Sequence, residues 1–218
     1  MTTRHRMKPQ TPLQTNEVTV EIFADVICPW CYIGKRRLDA ALATRPHIVP
    51  RIIWRTFLLN PMMPLEGMSR TAYLAAKFGH SAAAVYGRIA AAGMDSGIEF
   101  NFDKIQLTPN SRMAHKMLIS AGADTNALSE AFYKAYFIDG LDIGDSAVLI
   151  DIAAGIGRAD LASALSDETI QSQMENDIAS AHQFNLDGVP FYVFGGAFSI
   201  AGAHTTEHLT LAIDAAAG

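Results

Sequence analysis

The chain has 218 residues, half of them hydrophobic, and a formal net charge of −5. That length suffices for one large domain, or for one domain with another inserted into it, and for a sizeable core. Lysine and arginine are neither in excess nor clustered, which argues against a nucleic-acid footprint, and no apolar run reaches the length of a membrane span.

Residues 1–16 carry Arg4, Arg6 and Lys8 with no apolar segment behind them. This predicts a disordered leader rather than a secretory signal, and with it a cytoplasmic protein. From Val18 to Val26 the run is rich in β-branched and aromatic residues, with Val18, Val20 and Ile22 on one face, and reads as a buried strand. A helix follows, its period marked by Ile33, Arg37, Leu38, Ala41 and Leu42. Between the two lies Cys28-Pro29-Trp30-Cys31, which holds both cysteines of the chain.

Pro29 suits a first helical turn, so Cys28 falls at or beside the N-cap. There the first N–H groups and the helix dipole would favour a thiolate. Cys31 is one turn on, within disulfide reach and better shielded. The expectation is an exposed attacking sulfur and a buried resolving one, the asymmetry that thiol–disulfide exchange uses. Three blander readings compete. Inert core thiols do not explain the spacing at a strand–helix junction. A structural disulfide closing a four-residue loop is a poor staple. Half a zinc site, completed by His204 and His208, needs a gap far longer than a zinc finger's.

Past Arg45-Pro46-His47, residues Ile48 to Leu59 read as a second strand, parallel to the first and ended by Asn60-Pro61. From Ser69 to about Asn185 there is hardly any strand signal. The expected helices run through Ser69–Ala92 as one or two pieces, from a cap at Asn110 to Ser120, over Ala127–Ile138, and over Ala147–Ala154 behind Asp145. A short turn at Asp160–Leu165 and a long helix from Asp167 to about His182 complete the block. Strand signal returns at 188–194. Gly195-Gly196 marks a hairpin, Ala197–Ala201 the return, and Thr205 or Thr206 the cap of a closing helix.

The order is therefore β-α-β, a helical block, then β-β-α. With its C-P-W-C motif and Gly188-Val189-Pro190 before a hairpin, the chain resembles thioredoxin-fold proteins; with the helical block, it resembles the DsbA family. The stretches F-A-D-V-I-C-P-W-C-Y-I-G-K-R-R-L, L-N-P at 59–61, Y-L-A-A-K-F-G at 73–79, P-N-S-R-M-A-H at 109–115 and A-Y-F-I-D-G-L-D-I-G at 135–144 are similar to the FrnE-like branch. The resemblance implies an α/β, thioredoxin-like fold with a large all-helical insertion. The expected parts are the leader 1–16, a first thioredoxin-like part 17–66, the inserted helical domain 67–185 and a second thioredoxin-like part 186–218.

It also implies a thiol–disulfide oxidoreductase with Cys28 as nucleophile and Cys31 as resolving thiol. Pro190 matches a cis-proline facing the disulfide, which leaves the Val189 backbone for substrate. Pro29 and Trp30 would complete the substrate surface. No metal or other cofactor is implied beyond the Cys28–Cys31 disulfide. Glutathione is a candidate co-substrate, and thiol or disulfide compounds are the expected partners, with a homodimer as a further expectation. Related 2-hydroxychromene-2-carboxylate isomerases and kappa-class glutathione transferases typically carry Ser where Cys28 stands. A glutathione-dependent isomerase or transferase is thus the alternative, and a chaperone-like binding protein a third reading.

Among the other residues, Asp25 is a candidate proton relay three positions before Cys28, its plainer reading being a loop hydrogen bond. His115 reads most simply as structural, Arg112 as an ion-pair partner, and Phe132, Tyr133, Tyr136 and Phe137 as core.

Overall fold

A computed structural model describes residues 16–218. The leader expected at 1–16 lies outside them, except for Asn16, which already belongs to the first strand. Strand β1 (Asn16–Ala24) pairs in parallel with β2 (Ile48–Thr56), joined by helix α1 (Pro29–Ala43). A four-residue strand β5 (Phe191–Phe194) adds antiparallel on the other side of β1, and β6 (Phe198–Ala201) returns beside it, giving the sheet order β2-β1-β5-β6. Strand β2 is an edge, which is why it tolerates Pro50. This is a thioredoxin-like α/β fold with a large helical insertion, as the sequence implies.

The alternation in β1 does what its pattern predicts: Val18, Val20 and Ile22 are buried. Ile22 aligns with Trp54 on one side and Tyr192 on the other, so these three share a face. The opposite face carries Glu21 and Arg55, 2.7 Å apart. Strand β2 stops at Thr56, three residues short of the expected Leu59. Its partner ends at Ala24, and the Leu59 N–H is taken by the Asp25 carboxylate at 2.8 Å instead of by a ladder.

The block between β2 and β5 holds α2 (Arg70–Phe78), α3 (Ala82–Met94), α4 (Arg112–Ser120), α5 (Thr125–Lys134), α6 (Ser146–Gly155) and α7 (Glu168–Gln183). The closing helix α8 (Thr206–Ala217) packs on α1. Asp145, Asp167 and Thr205 cap α6, α7 and α8 as their positions predict. The expected cap of α4 is displaced by one residue: Ser111 is the N-cap, while Asn110 Oδ1 accepts from Arg112 N. The α5 helix continues as a π-turn over Ala135–Asp139 and stops at Gly140, whose φ of 75° and close approach to the Lys104 carbonyl leave no room for a side chain.

One strand pair has no counterpart in the sequence reading. A two-residue pair, β3 (Met68–Ser69) with β4 (Leu107–Thr108), closes the irregular segment of the insertion into a small antiparallel sheet. Strands of two residues carry no periodic signal.

Two polar joints fix the insertion to the sheet and to α1. Asp177 of α7, almost fully buried, accepts from Thr56 N and pairs with Arg55 at 3.1 Å. Burial pushes its carboxyl above the usual range, against the pull of the Thr56 N–H and Arg55. Glu130 of α5 pairs with Lys35 at 3.1 Å and Arg36 at 2.7 Å, both on α1. Behind them the rings of Tyr32 and Tyr133 stack at 5.0 Å, and Phe137 continues the stack. The four aromatic residues of the α5 region are core, as expected.

Candidate active site

Cys28 is the N-cap of α1, with Pro29 in the first turn. The local cause is the turn Asp25–Cys28: Cys28 N donates to Asp25 O, and the chain turns straight from strand to helix. Two details differ from the expectation. Cys28 is not exposed; it is 4% accessible against 2% for Cys31. Nor does its sulfur cap the helix. The N–H groups of Cys31 and Tyr32 bond the Cys28 carbonyl, while the Cys28 thiol turns inward and donates to Val189 O at 3.7 Å. That carbonyl occupies the space which exposure would have required.

The asymmetry between the sulfurs is therefore one of surroundings. Cys28 lies at the strand–helix turn against the half-buried Val189 backbone. Both sulfurs are free thiols within hydrogen-bond reach of each other. Burial pushes the Cys31 thiol well up, and the neighbouring Cys28 adds to it. Tyr133 and Tyr192, both fully buried, lie near the two sulfurs, and burial pushes their phenols well up too, so both remain protonated. Among the described residues the Tyr192 hydroxyl has no partner. It sits against Gly34, one turn beyond Cys31, where a Cβ would overlap it and press on Pro190. Glycine is needed there for close approach, not for its backbone angle.

Val189–Pro190 is cis, Pro190 is buried and Val189 half-buried. The Val189 carbonyl faces Cys28, and its N–H meets no acceptor among the described residues. Pro29 is buried, whereas Trp30 is 38% exposed beside it. The structure thus brings Pro29, Trp30, Val189 and Pro190 to the cysteine pair. A cleft of about 430 Å³, lined by Leu59, Met62, Met68, Tyr73 and Lys77, includes none of these residues. Its Leu59 wall is tied to Asp25. A larger cleft of about 590 Å³ runs along β2 and includes neither cysteine.

Asp25 is wholly buried and makes the loop bonds its plainer reading predicts: Oδ1 accepts from Ile27 N at 3.3 Å and Oδ2 from Leu59 N. It also meets His115. The ring is wholly buried on α4, its Nε2 3.3 Å from Asp25 Oδ1 and its Nδ1 2.9 Å from Trp54 Nε1. Sequence reasoning did not join these three residues. Arg112, one turn before, pairs with Glu175 as expected. The rings of His204 and His208 lie side by side, tilted by 40°, and among the described residues no three of His, Cys, Asp and Glu are grouped to hold a metal ion. Among the described residues no helix is long and apolar enough to cross a membrane.

A family profile described as the DSBA-like thioredoxin domain matches residues 19–214. The chain is similar to a probable DsbA oxidoreductase from Streptomyces coelicolor, at 29% identity and a TM-score of 0.79, over 91% of this chain and 89% of that one. The fold is shared with the cytosolic disulfide reductase DsbM of Pseudomonas aeruginosa, at 17% identity and a TM-score of 0.61, over 91% and 95% of the two chains. It is shared as well with a 2-hydroxychromene-2-carboxylate isomerase, at 15% identity and a TM-score of 0.65, over 90% and 93%.

Proposed function

The chain belongs to the DSBA-like thioredoxin domain family, and from that premise we propose that it is a thiol–disulfide oxidoreductase acting through Cys28 and Cys31. Cys28 attacks a substrate disulfide and forms a mixed disulfide. Cys31 then attacks the Cys28 sulfur, the substrate leaves as a thiol, and the pair is left oxidised. The reverse sequence oxidises a dithiol.

The observation that carries this reading is the pair itself. Two free thiols lie in contact at a strand–helix turn, one beside the half-buried backbone at Val189 and the other held as a thiol by burial. The Val189 N–H and carbonyl offer an extended substrate a place to pair next to Cys28, with Trp30 and Pro29 as flanking surface. Glutathione is the proposed co-substrate; the DsbM fold relative is also recorded with GSH. The proposed setting is the cytoplasm, where a reducing pool keeps such a pair available as thiols.

Insulin reduction by the wild type and both single mutants tests it. Cys28→Ser is expected to be inert, and Cys31→Ser to accumulate mixed disulfides without turnover. Full turnover in both would remove the dithiol mechanism and favour a glutathione-dependent isomerase, which needs at most one thiol.

A further inference from the structure

Cys28 is 4% accessible, yet as nucleophile it has to meet a substrate sulfur. The Val189 carbonyl covers it, 3.7 Å from its Sγ. The chain around that carbonyl is anchored on one side. Downstream, Pro190 O accepts from Gly202 N at 2.7 Å, and β5 begins at Phe191 between β1 and β6. Upstream, the last backbone bond is from Leu186 N to Ala181 O at 3.0 Å. Among the described residues, Asp187, Gly188 and Val189 make no backbone–backbone hydrogen bond, and the Cys28 thiol is the one side chain bonded to their backbone. A thiol is a weak donor, so that bond alone is a weak hold. Asp187 and Gly188 are exposed.

The place of Val189 is therefore set through Pro190, and Pro190 rests on α1. Gly34 is the seat. A Cβ there would overlap the Tyr192 hydroxyl and lie 3.0 Å from Pro190 Cγ, closer than carbon atoms pack. Tyr192 has nowhere to retreat. It is fully buried in β5, aligned with Ile22 of β1 and Ile200 of β6, with its ring stacked on Phe194 at 6.1 Å. Pro190, just outside the strand, is the part that yields, and it carries Val189 with it.

We infer that Gly34 is a positioning residue for thiol–disulfide exchange. Its bare face seats Pro190 and so holds residues 187–189 as a flap over Cys28, which a substrate lifts to reach the sulfur. The inference rests on the thiol–disulfide reading for what enters, and on packing alone for the flap. Lifting the flap parts the Val189 carbonyl from the Cys28 thiol and leaves it free to pair with an extended substrate.

The test is the rate at which iodoacetamide labels Cys28 in the reduced protein, with Cys31 followed by the same peptide mapping. A buried thiol is labelled through its open population. Gly34→Ala overpacks the closed arrangement and is expected to raise the Cys28 rate about 10-fold, leaving the Cys31 rate as it was. In a Tyr192→Phe background the overlapping atom is gone and the Pro190 contact remains, so the same substitution should raise the rate about threefold. A loss of stability alone would speed both cysteines together. An unchanged Cys28 rate, an equal rise at both cysteines, or an undiminished rise in the Tyr192→Phe background would overturn the inference. Should Gly34→Ala not fold, the double variant carries the test, and a Cys28 rate no higher than in Tyr192→Phe overturns it. Insulin reduction is read separately: a protein with the expected labelling that reduces no insulin would lose the thiol–disulfide reading and keep the flap.

Discussion

Glu130→Ala should loosen the helical insertion from the helix that carries the cysteines. The Glu130 carboxylate accepts the Tyr32 hydroxyl at 2.8 Å and pairs with Lys35 at 3.1 Å and Arg36 at 2.7 Å. All three partners lie on α1, within the two turns after Cys31. Burial pushes the Tyr32 phenol up to about 12, so it is a donor at every working pH. Without Glu130, Lys35, whose side chain is 9% exposed, keeps Asp39 as its one partner among the described residues. The Tyr32 bond is a charge-assisted hydrogen bond worth about 1.5 kcal/mol. The Glu130 side chain is 30% exposed, so its two ion pairs take surface values of about 0.5 kcal/mol each. The total is about 2.5 kcal/mol, equivalent to a drop of about 5–10 °C in Tm for a chain of this size. Glu130→Gln keeps an acceptor for Tyr32 and should cost about 1 kcal/mol. Urea unfolding of the reduced protein measures both through the midpoint at unchanged slope. A loss below about 0.5 kcal/mol for Glu130→Ala would refute the idea that this carboxylate clamps α5 to α1.

Two further outcomes follow from the thiol environments. In the reduced protein, iodoacetamide near neutral pH should label Cys28 ahead of Cys31, because burial and the adjacent sulfur hold Cys31 as a thiol; peptide mapping that found Cys31 labelled first would reverse the roles. The same shift makes stability fall in alkali. A thiol whose folded value is raised contributes stability that is whole below its unfolded value, about 8.5, and is lost as the pH climbs through the folded one. Tyr133 and Tyr192 act in the same direction from about pH 10 upward. Urea midpoints of the reduced protein should therefore decline from about pH 8.5, and Cys31→Ala should remove the earlier part of the decline; a flat wild-type profile would contradict the burial assigned to Cys31.

The elements that carry a period or a cap were legible. Val18, Val20 and Ile22 announce a strand with one buried face, Pro29 announces a helix start, and Asp145 and Asp167 announce two more. These are local relations within a turn or a pleat, where residue type and spacing determine the geometry. What was misread is non-local. The exposure expected of Cys28 failed because Val189, 161 residues away, places its carbonyl against that sulfur. The length of β2 failed because β1 ends at Ala24, whose carbonyl takes the Phe57 N–H, and Asp25, 34 residues before Leu59, takes the Leu59 N–H with its side chain. No window along the chain contains either pair.

His115 shows where such reading stops. On α4 it looks like any lone histidine on an amphipathic helix, and structural is the fair reading. Its neighbour Met117 and the following Leu118 are equally buried. What separates it is that the sequence holds only two tryptophans, Trp54 and Trp30, and the fold brings the buried one to a ring nitrogen and a carboxylate to the other. A buried imidazole with an acceptor on each side could rotate or take a second proton. One with a fixed donor on Nδ1 and a carboxylate on Nε2 has a single arrangement. Asp25 could be found from its distance to Cys28 in the sequence. The residues joined to it through hydrogen bonds, His115 directly and Trp54 behind it, lie 90 and 29 positions further on and required the fold.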